Sequence, residues 1–203
     1  MNFLDYVTSS ISIIFDRSGD FLRNIFNSNE ENIIIDEKNK TYKKRIFTPL
    51  PYLVQLEWFY GKPTHIIDNI FLGSAINASH LNTLKERNIG LIINMTQEIS
   101  NYFPNDIQYL NFPLYDNNSQ SIKQYLIEAY DKIIEFQMNN RDKNILVHCF
   151  MGASRSASIV IYYLMKKYNY TLNEAVMFCK DKRELVNPTI LFYNELSELE
   201  NSI

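Results

Sequence analysis

A chain of 203 residues can bury one ordinary core and carry some extension beside it. Its 46% apolar and 21% charged residues form a normal globular mixture, and a net charge of −3 excludes a global basic field for nucleic acid. Only two cysteines, at 149 and 179, exclude a disulfide scaffold, and no apolar run is long enough to span a bilayer. An anionic substrate would therefore have to be attracted by a local site. The first six residues lack a basic start, so no signal peptide is expected and the location reads as cytoplasmic or nuclear.

Residues 2–27 place Leu4, Val7, Ile11, Ile14, Phe15, Leu22, Ile25 and Phe26 at helical spacing, with a break near Gly19. Residues 27–45 are polar and read as loop, with room for a short strand at Ile33, Ile34 and Ile35. The boundary between an N-terminal extension, 1–61, and the main domain, 62–203, is placed near Gly61. Ile70, Phe71 and Leu72 read as a short strand, 80–88 as a helix and 90–95 as a buried strand. A further strand is expected over 107–112. The clearest helical stripe runs through Ile122, Tyr125, Leu126, Ala129, Tyr130, Ile133 and Ile134.

Residues 144–148 form a strand that leads into a short loop, and a nearly all-apolar helix follows over 156–167. Thr171 and Glu174 have the spacing of a capping box for the next helix. Asn187 followed by Pro188 reads as the N-cap and first turn of the last helix. Strands mixed with helices, then helices at the C-terminal end, give an α/β fold: a small sheet flanked by helices, with an N-terminal extension.

The chemistry lies in the run His148, Cys149, Phe150, Met151, Gly152, Ala153, Ser154, Arg155, Ser156. In a tight loop between a strand and a helix, successive N–H groups can converge on one anion, aided by the helix dipole. Gly152 and Ala153 leave room for that approach. Phe150, Met151, Gly152, Ala153, Ser154 and Arg155 are thus the candidate phosphate cradle. Arg155 offers a planar fork for two phosphate oxygens. The same field favours the thiolate form of Cys149, the candidate nucleophile. Ser156 is placed to hydrogen-bond the sulfur and stabilise it as a leaving group. His148 orients the loop from behind.

A leaving alkoxide or phenoxide needs a proton, and Asp116, in the loop that follows Phe112 and Pro113, is the candidate general acid. Asp106, Asp131 and Asp142 are alternatives by residue type alone. Cys179 reads as a buried helix thiol, with a redox partnership to Cys149 as the minor alternative. His65 and His80 have no ligand-type neighbours, so neither a metal nor a cofactor is expected.

Cys149 followed after five residues by Arg155 and then Ser156, with His148 in front, resembles the signature of the protein tyrosine phosphatase superfamily. Further blocks resemble its dual-specificity branch: 65–73, 92–96, 112–116, Tyr163 with Leu164 and Met165, and Asn187 with Pro188. The resemblance covers about residues 63–203. It implies a small mixed sheet, a phosphate loop at 149–155, the general acid within 112–116, and a phosphoprotein substrate bearing phosphotyrosine or phosphoserine/threonine.

Phe150, Met151, Ala153 and Ser154 include no Lys or Arg, which weighs against phosphoinositides and RNA 5′-triphosphates. The side chains of Phe150 and Met151 are expected to form an apolar rim for a tyrosine ring. A reading from another class is a phospho-binding docking protein in which 1–61 meets a partner; a dimer contact through 1–61 is a further alternative.

Overall fold

The computed structural model describes residues 59–115 and 120–202, together with the backbone of two strands, β1 (Asn32–Asp36) and β2 (Thr41–Arg45). The chain divides into two units, Met1–Tyr52 and Leu53–Ile203. In the first unit β1 and β2 pair antiparallel, with Ile34 opposite Lys43. The isoleucine run therefore is a strand. The helical stripe expected over 2–27 lies outside the described residues.

Phe59 and Tyr60 are buried in the second unit. Its strands are β3 (Thr64–Ile67), β4 (Ile70–Gly73), β5 (Ile89–Asn94), β6 (Gln108–Asn111) and β7 (Asn144–His148). They form one five-stranded sheet in the order β3-β4-β7-β5-β6. β4, β7, β5 and β6 run parallel, and β3 pairs antiparallel with β4 at one edge. Asp68 turns that edge hairpin at φ 48°, a left-handed conformation that Asp tolerates in tight turns.

The helices are α1 (Ala75–Ala78), α2 (Leu81–Glu86), α3 (Lys123–Asn139), α4 (Arg155–Tyr168), α5 (Leu172–Lys182) and α6 (Ile190–Glu200). Phe71, Ile92 and Leu146 face a cluster with Ala78, Leu84, Ile89 and Ile107 on one side of the sheet. On the strands, side chains alternate, so Ile70, Leu72, Leu91, Ile93, Ile145 and Val147 face the other way. All six are buried, and α4 packs on β4 and β7. Burial on both faces explains why these strands read as continuous apolar runs. It also explains α4, whose residues from Arg155 to Met165 are all buried.

Two features depart from the expected elements. The short α1 follows β4 directly, with Ser74 as N-cap and Asn77 completing the box. The last helix is capped by Thr189, whose hydroxyl accepts from the N–H of Phe192, not by Asn187. The backbone N–H of Asn187 is instead engaged by the carbonyl of Ala153 at 2.8 Å. The capping box at Thr171 and Glu174 is present as expected. Tyr163 on α4 donates to Asp68 Oδ2 at 2.6 Å, fastening the central helix to the edge hairpin. Among the described residues no helix is long and apolar enough to cross a membrane.

Candidate active site

Parallel strands bring their C-terminal ends to one edge of the sheet, where loops can converge. The register aligns Gly73 of β4 and Asn94 of β5 with His148 at the end of β7, and Asn111 of β6 with Asn94. Four segments therefore meet at the end of the middle strand: Ser74 with α1, the loop after Asn94, the loop after Asn111, and the loop that opens at Cys149.

Cys149 is 1% exposed at the floor of that loop. Its sulfur accepts from the N–H of Gly152 at 3.2 Å and from the hydroxyl of Ser156, on the first turn of α4, at 3.2 Å. Gly152 takes φ 74°, and a Cβ there would come 2.4 Å from the carbonyl oxygen of Gly73. Only glycine fits that close approach.

The carbonyls of the loop are held from outside. Phe150 O accepts from Ala75 N at 3.0 Å, and Ala153 O accepts from Asn187 N at 2.8 Å. Met151 O and Gly152 O accept from Arg183 Nη2 and Nε, both at 2.9 Å. In a planar trans peptide the N–H points opposite to the carbonyl. With these carbonyls turned outward, the N–H groups of Met151, Gly152, Ala153 and Ser154 turn toward the loop's interior. The candidate anion cradle thus has a clamp for each of these four peptides.

Arg155, 1% exposed, closes the far end. Its Nη1 donates to Leu114 O at 2.9 Å and lies 2.8 and 3.0 Å from the two carboxylate oxygens of Glu98. Glu98 is presented by a turn that Asn94 and Thr96 tie together: Asn94 Nδ2 donates to Ile99 O, and Thr96 Oγ1 donates to Asn94 Oδ1.

His148 is buried at the end of β7, and its Nδ1 lies 3.2 Å from Cys149 O. A carbonyl only accepts, so Nδ1 carries the proton in that contact. Burial pushes its pKa down to about 4, a backbone hydrogen bond to Cys149 opposes this, and the Arg155 charge adds to it. A neutral imidazole behind the loop fits the orienting role. Cys179 is buried in α5, and burial pushes its thiol up to about 12, which does not favour a redox partnership.

Asp116 lies outside the described residues. The segments on either side of it are held. Leu114 is buried, Tyr115 N donates to Gln120 Oε1, and Gln120 Nε2 donates to Pro113 O. Ile122 N donates to the Glu195 carboxylate of α6 at 2.7 Å. The alternative acids are poorly placed. Asp106 and Asp142 precede β6 and β7 and so lie at the opposite edge of the sheet from Cys149, and Asp131 is exposed on α3.

The apolar rim needs correcting at Phe150. Its ring is 2% exposed and packs on Phe59 at 5.5 Å between centroids. The ring is taken up by the core, against Phe59, which is itself held by Ser74 Oγ donating to Phe59 O at 2.6 Å. Met151 is half-buried, and Tyr115 is 48% exposed beside Leu114. Sequence reasoning missed Glu98 and Arg183. A charged residue just beyond the C-terminal end of a buried parallel strand could have flagged Glu98. Arg183 gave no local signal, since a basic residue at a helix C-terminus ordinarily faces water.

Residues 70–202 match the family described as dual specificity phosphatase, catalytic domain. Protein phosphatase Slingshot homolog 1 of Mus musculus is 40% identical over 139 residues, which are 68% of this chain and 13% of that protein. Dual specificity protein phosphatase 1 of Arabidopsis thaliana is 35% identical over 141 residues, 70% of each. The chain thus spans only a small part of the Slingshot relatives. Among solved structures, the human tyrosine phosphatase-like serine/threonine/tyrosine-interacting protein aligns with a TM-score of 0.64 at 27% identity, over 70% of this chain and 97% of that one.

Proposed function

The chain belongs to the dual specificity phosphatase family, and on that premise we propose that it hydrolyses phosphate monoesters on phosphotyrosine and phosphoserine/threonine of proteins. The observation that carries this reading is the sulfur of Cys149 at the floor of a loop whose peptide N–H groups are turned inward. In the first step the thiolate attacks phosphorus. The ester P–O bond breaks, and Asp116 gives its proton to the leaving oxygen. The cradle N–H groups and Arg155 hold the equatorial oxygens as charge develops on them. In the second step water attacks the phosphocysteine, Asp116 takes a proton from it, and the S–P bond breaks. The Ser156 hydroxyl then receives the departing thiolate. His148 stays neutral and takes no part in proton transfer.

A protein substrate is supported by the uncharged loop side chains at 150, 151, 153 and 154. Extra phosphates on an inositol ring or a triphosphate end would gain from basic groups there. The exposed ring of Tyr115 is the candidate aromatic contact in place of Phe150. A nucleophile that must remain a free thiol fits the reducing cytoplasm or nucleus. Residues 1–61 are the candidate contact for a partner. A phospho-binding docking role is the second reading, favoured by the likeness to the interacting protein named above.

The test is phosphate release from phosphotyrosine and phosphoserine/threonine peptides, phosphoinositides and triphosphate RNA, by the wild type and by Cys149→Ser. Release from phosphopeptides that vanishes in the variant is the expected result. Release that survives the substitution overturns the nucleophile. Faster turnover of either non-protein substrate overturns the substrate class. No release by the wild type on any of them favours docking.

A further inference from the structure

Arg183 is 0% exposed, although arginine is among the residues least often buried. Its guanidinium spends its donors on the backbone of the loop. Nε donates to Gly152 O and Nη2 to Met151 O, both at 2.9 Å, while Nη1 donates to Thr64 Oγ1 at 3.3 Å on the edge strand β3. A buried arginine charge is costly unless something compensates it. Here the two loop carbonyls and the Thr64 hydroxyl supply part of that compensation. Burial pushes the guanidinium pKa down to about 10, and the facing Cys149 works against that shift. It is therefore a cation at neutral pH.

The geometry leaves Gly152 little freedom. Its φ of 74° is unusual, and its N–H must point at the Cys149 sulfur while its carbonyl points away. A flip of either peptide next to Gly152 would turn a carbonyl oxygen toward the bound anion. Each flip would also break a hydrogen bond to a charged donor, the stronger kind.

We propose that Arg183 is a positioning residue of the phosphatase, which holds the two peptides around Gly152 with their N–H groups facing the phosphoryl oxygens. It touches neither substrate nor sulfur and acts through the loop backbone. The assignment rests on the reading of Cys149 as the nucleophile of that same site. Preorganised donors count most when charge develops in the transition state, so loss of Arg183 should weaken oxyanion binding and turnover more than it weakens the fold.

The experiment uses the full chain with Arg183→Lys and Arg183→Met. Thermal unfolding, kcat and KM on p-nitrophenyl phosphate, inhibition by orthovanadate, and calorimetric binding of inorganic phosphate are compared with wild type. Expected for Arg183→Met are a loss of about 100-fold in kcat/KM, mostly in kcat, and vanadate inhibition weaker by about 30-fold. Arg183→Lys keeps the cation and should recover part of both. A folded Arg183→Met with kcat/KM and vanadate inhibition within about twofold of wild type overturns the proposal. If that variant does not fold, the same limits applied to Arg183→Lys decide. Loss of fold in both also counts against it, because the residue is then structural. Should Cys149→Ser keep its phosphate release, the nucleophile assignment fails while the phosphate affinity of the Arg183 variants still tests the clamp.

Discussion

Glu98 holds the guanidinium of Arg155: Nη1 of the arginine lies 2.8 Å from one carboxylate oxygen and 3.0 Å from the other. The pair joins the loop after β5 to the first turn of α4. Leu114 O takes the same nitrogen at 2.9 Å, so the arginine head is oriented from the side of the segment after β6 as well. A planar fork that is aimed before substrate arrives loses less freedom on binding.

Substitution of Glu98 by Gln should therefore reduce kcat/KM by about 10-fold, the value of one hydrogen bond between charged groups. The Leu114 contact remains, so activity is reduced and not lost. Steady-state kinetics on a phosphotyrosine peptide checks this, and rates equal to wild type would remove Glu98 from the site.

Ser156→Ala removes the hydroxyl that donates to the Cys149 sulfur at 3.2 Å. Attack on the substrate should be little changed, while hydrolysis of the phosphocysteine slows by about 10-fold or more. The signature is a rapid burst of nitrophenol followed by slow turnover in stopped-flow. A uniform slowing without a burst would reassign Ser156 to holding the loop.

Asp116→Asn tests the acid. The wild type should show a bell-shaped kcat/KM against pH, because one group must be ionised and another protonated. The variant should lose the limb set by the acid and about 100-fold in rate on alkyl phosphates. Aryl phosphates with good leaving groups should suffer less. Equal loss across leaving groups would move the role to another residue.

His148 makes stability pH-dependent with a definite sign. Its pKa falls from 6.5 to about 4 on folding, chiefly through burial. Above about pH 6.5 both states are neutral and the group contributes no penalty. As pH falls from 6.5 toward 4 the unfolded state takes the proton first, so stability declines, by about 3 kcal/mol at most, and levels off below 4. Urea unfolding of wild type and His148→Gln at pH 7.5 and 4.5 should show the advantage of wild type shrinking at the lower pH. A constant difference would show that His148 does not titrate in this way.

How far the site could be read in advance depended on how local each part was. Cys149, Gly152, Arg155 and Ser156 lie within one turn of chain, where loop geometry and helix dipole act on neighbours, so their residue types and spacing carry the chemistry. Glu98 reaches Arg155 across 57 positions and Arg183 reaches Gly152 across 31, and neither has a sequence neighbour that announces the contact. The residue type of Asn187 suggests an N-cap, whereas its backbone N–H serves Ala153 and Thr189 caps the helix. Phe150, apolar and next to Cys149, has the sequence character of a rim residue. Its ring packs on Phe59, which the local sequence does not disclose.

The strand–loop–helix run from β7 to α4, the apolar runs of a sheet buried on both faces, and the stripe on α3 follow from periodicity and from the Cα geometry of the chain itself. Those features are legible in the chain alone, as is the spacing of Cys149 and Arg155. The orientation of the loop peptides was decided only by the tertiary structure. A peptide can turn either way at small local cost around a glycine, and what selects the turn here is four donors, from Ala75, Arg183 and Asn187, that the fold carries to the outer side of the loop.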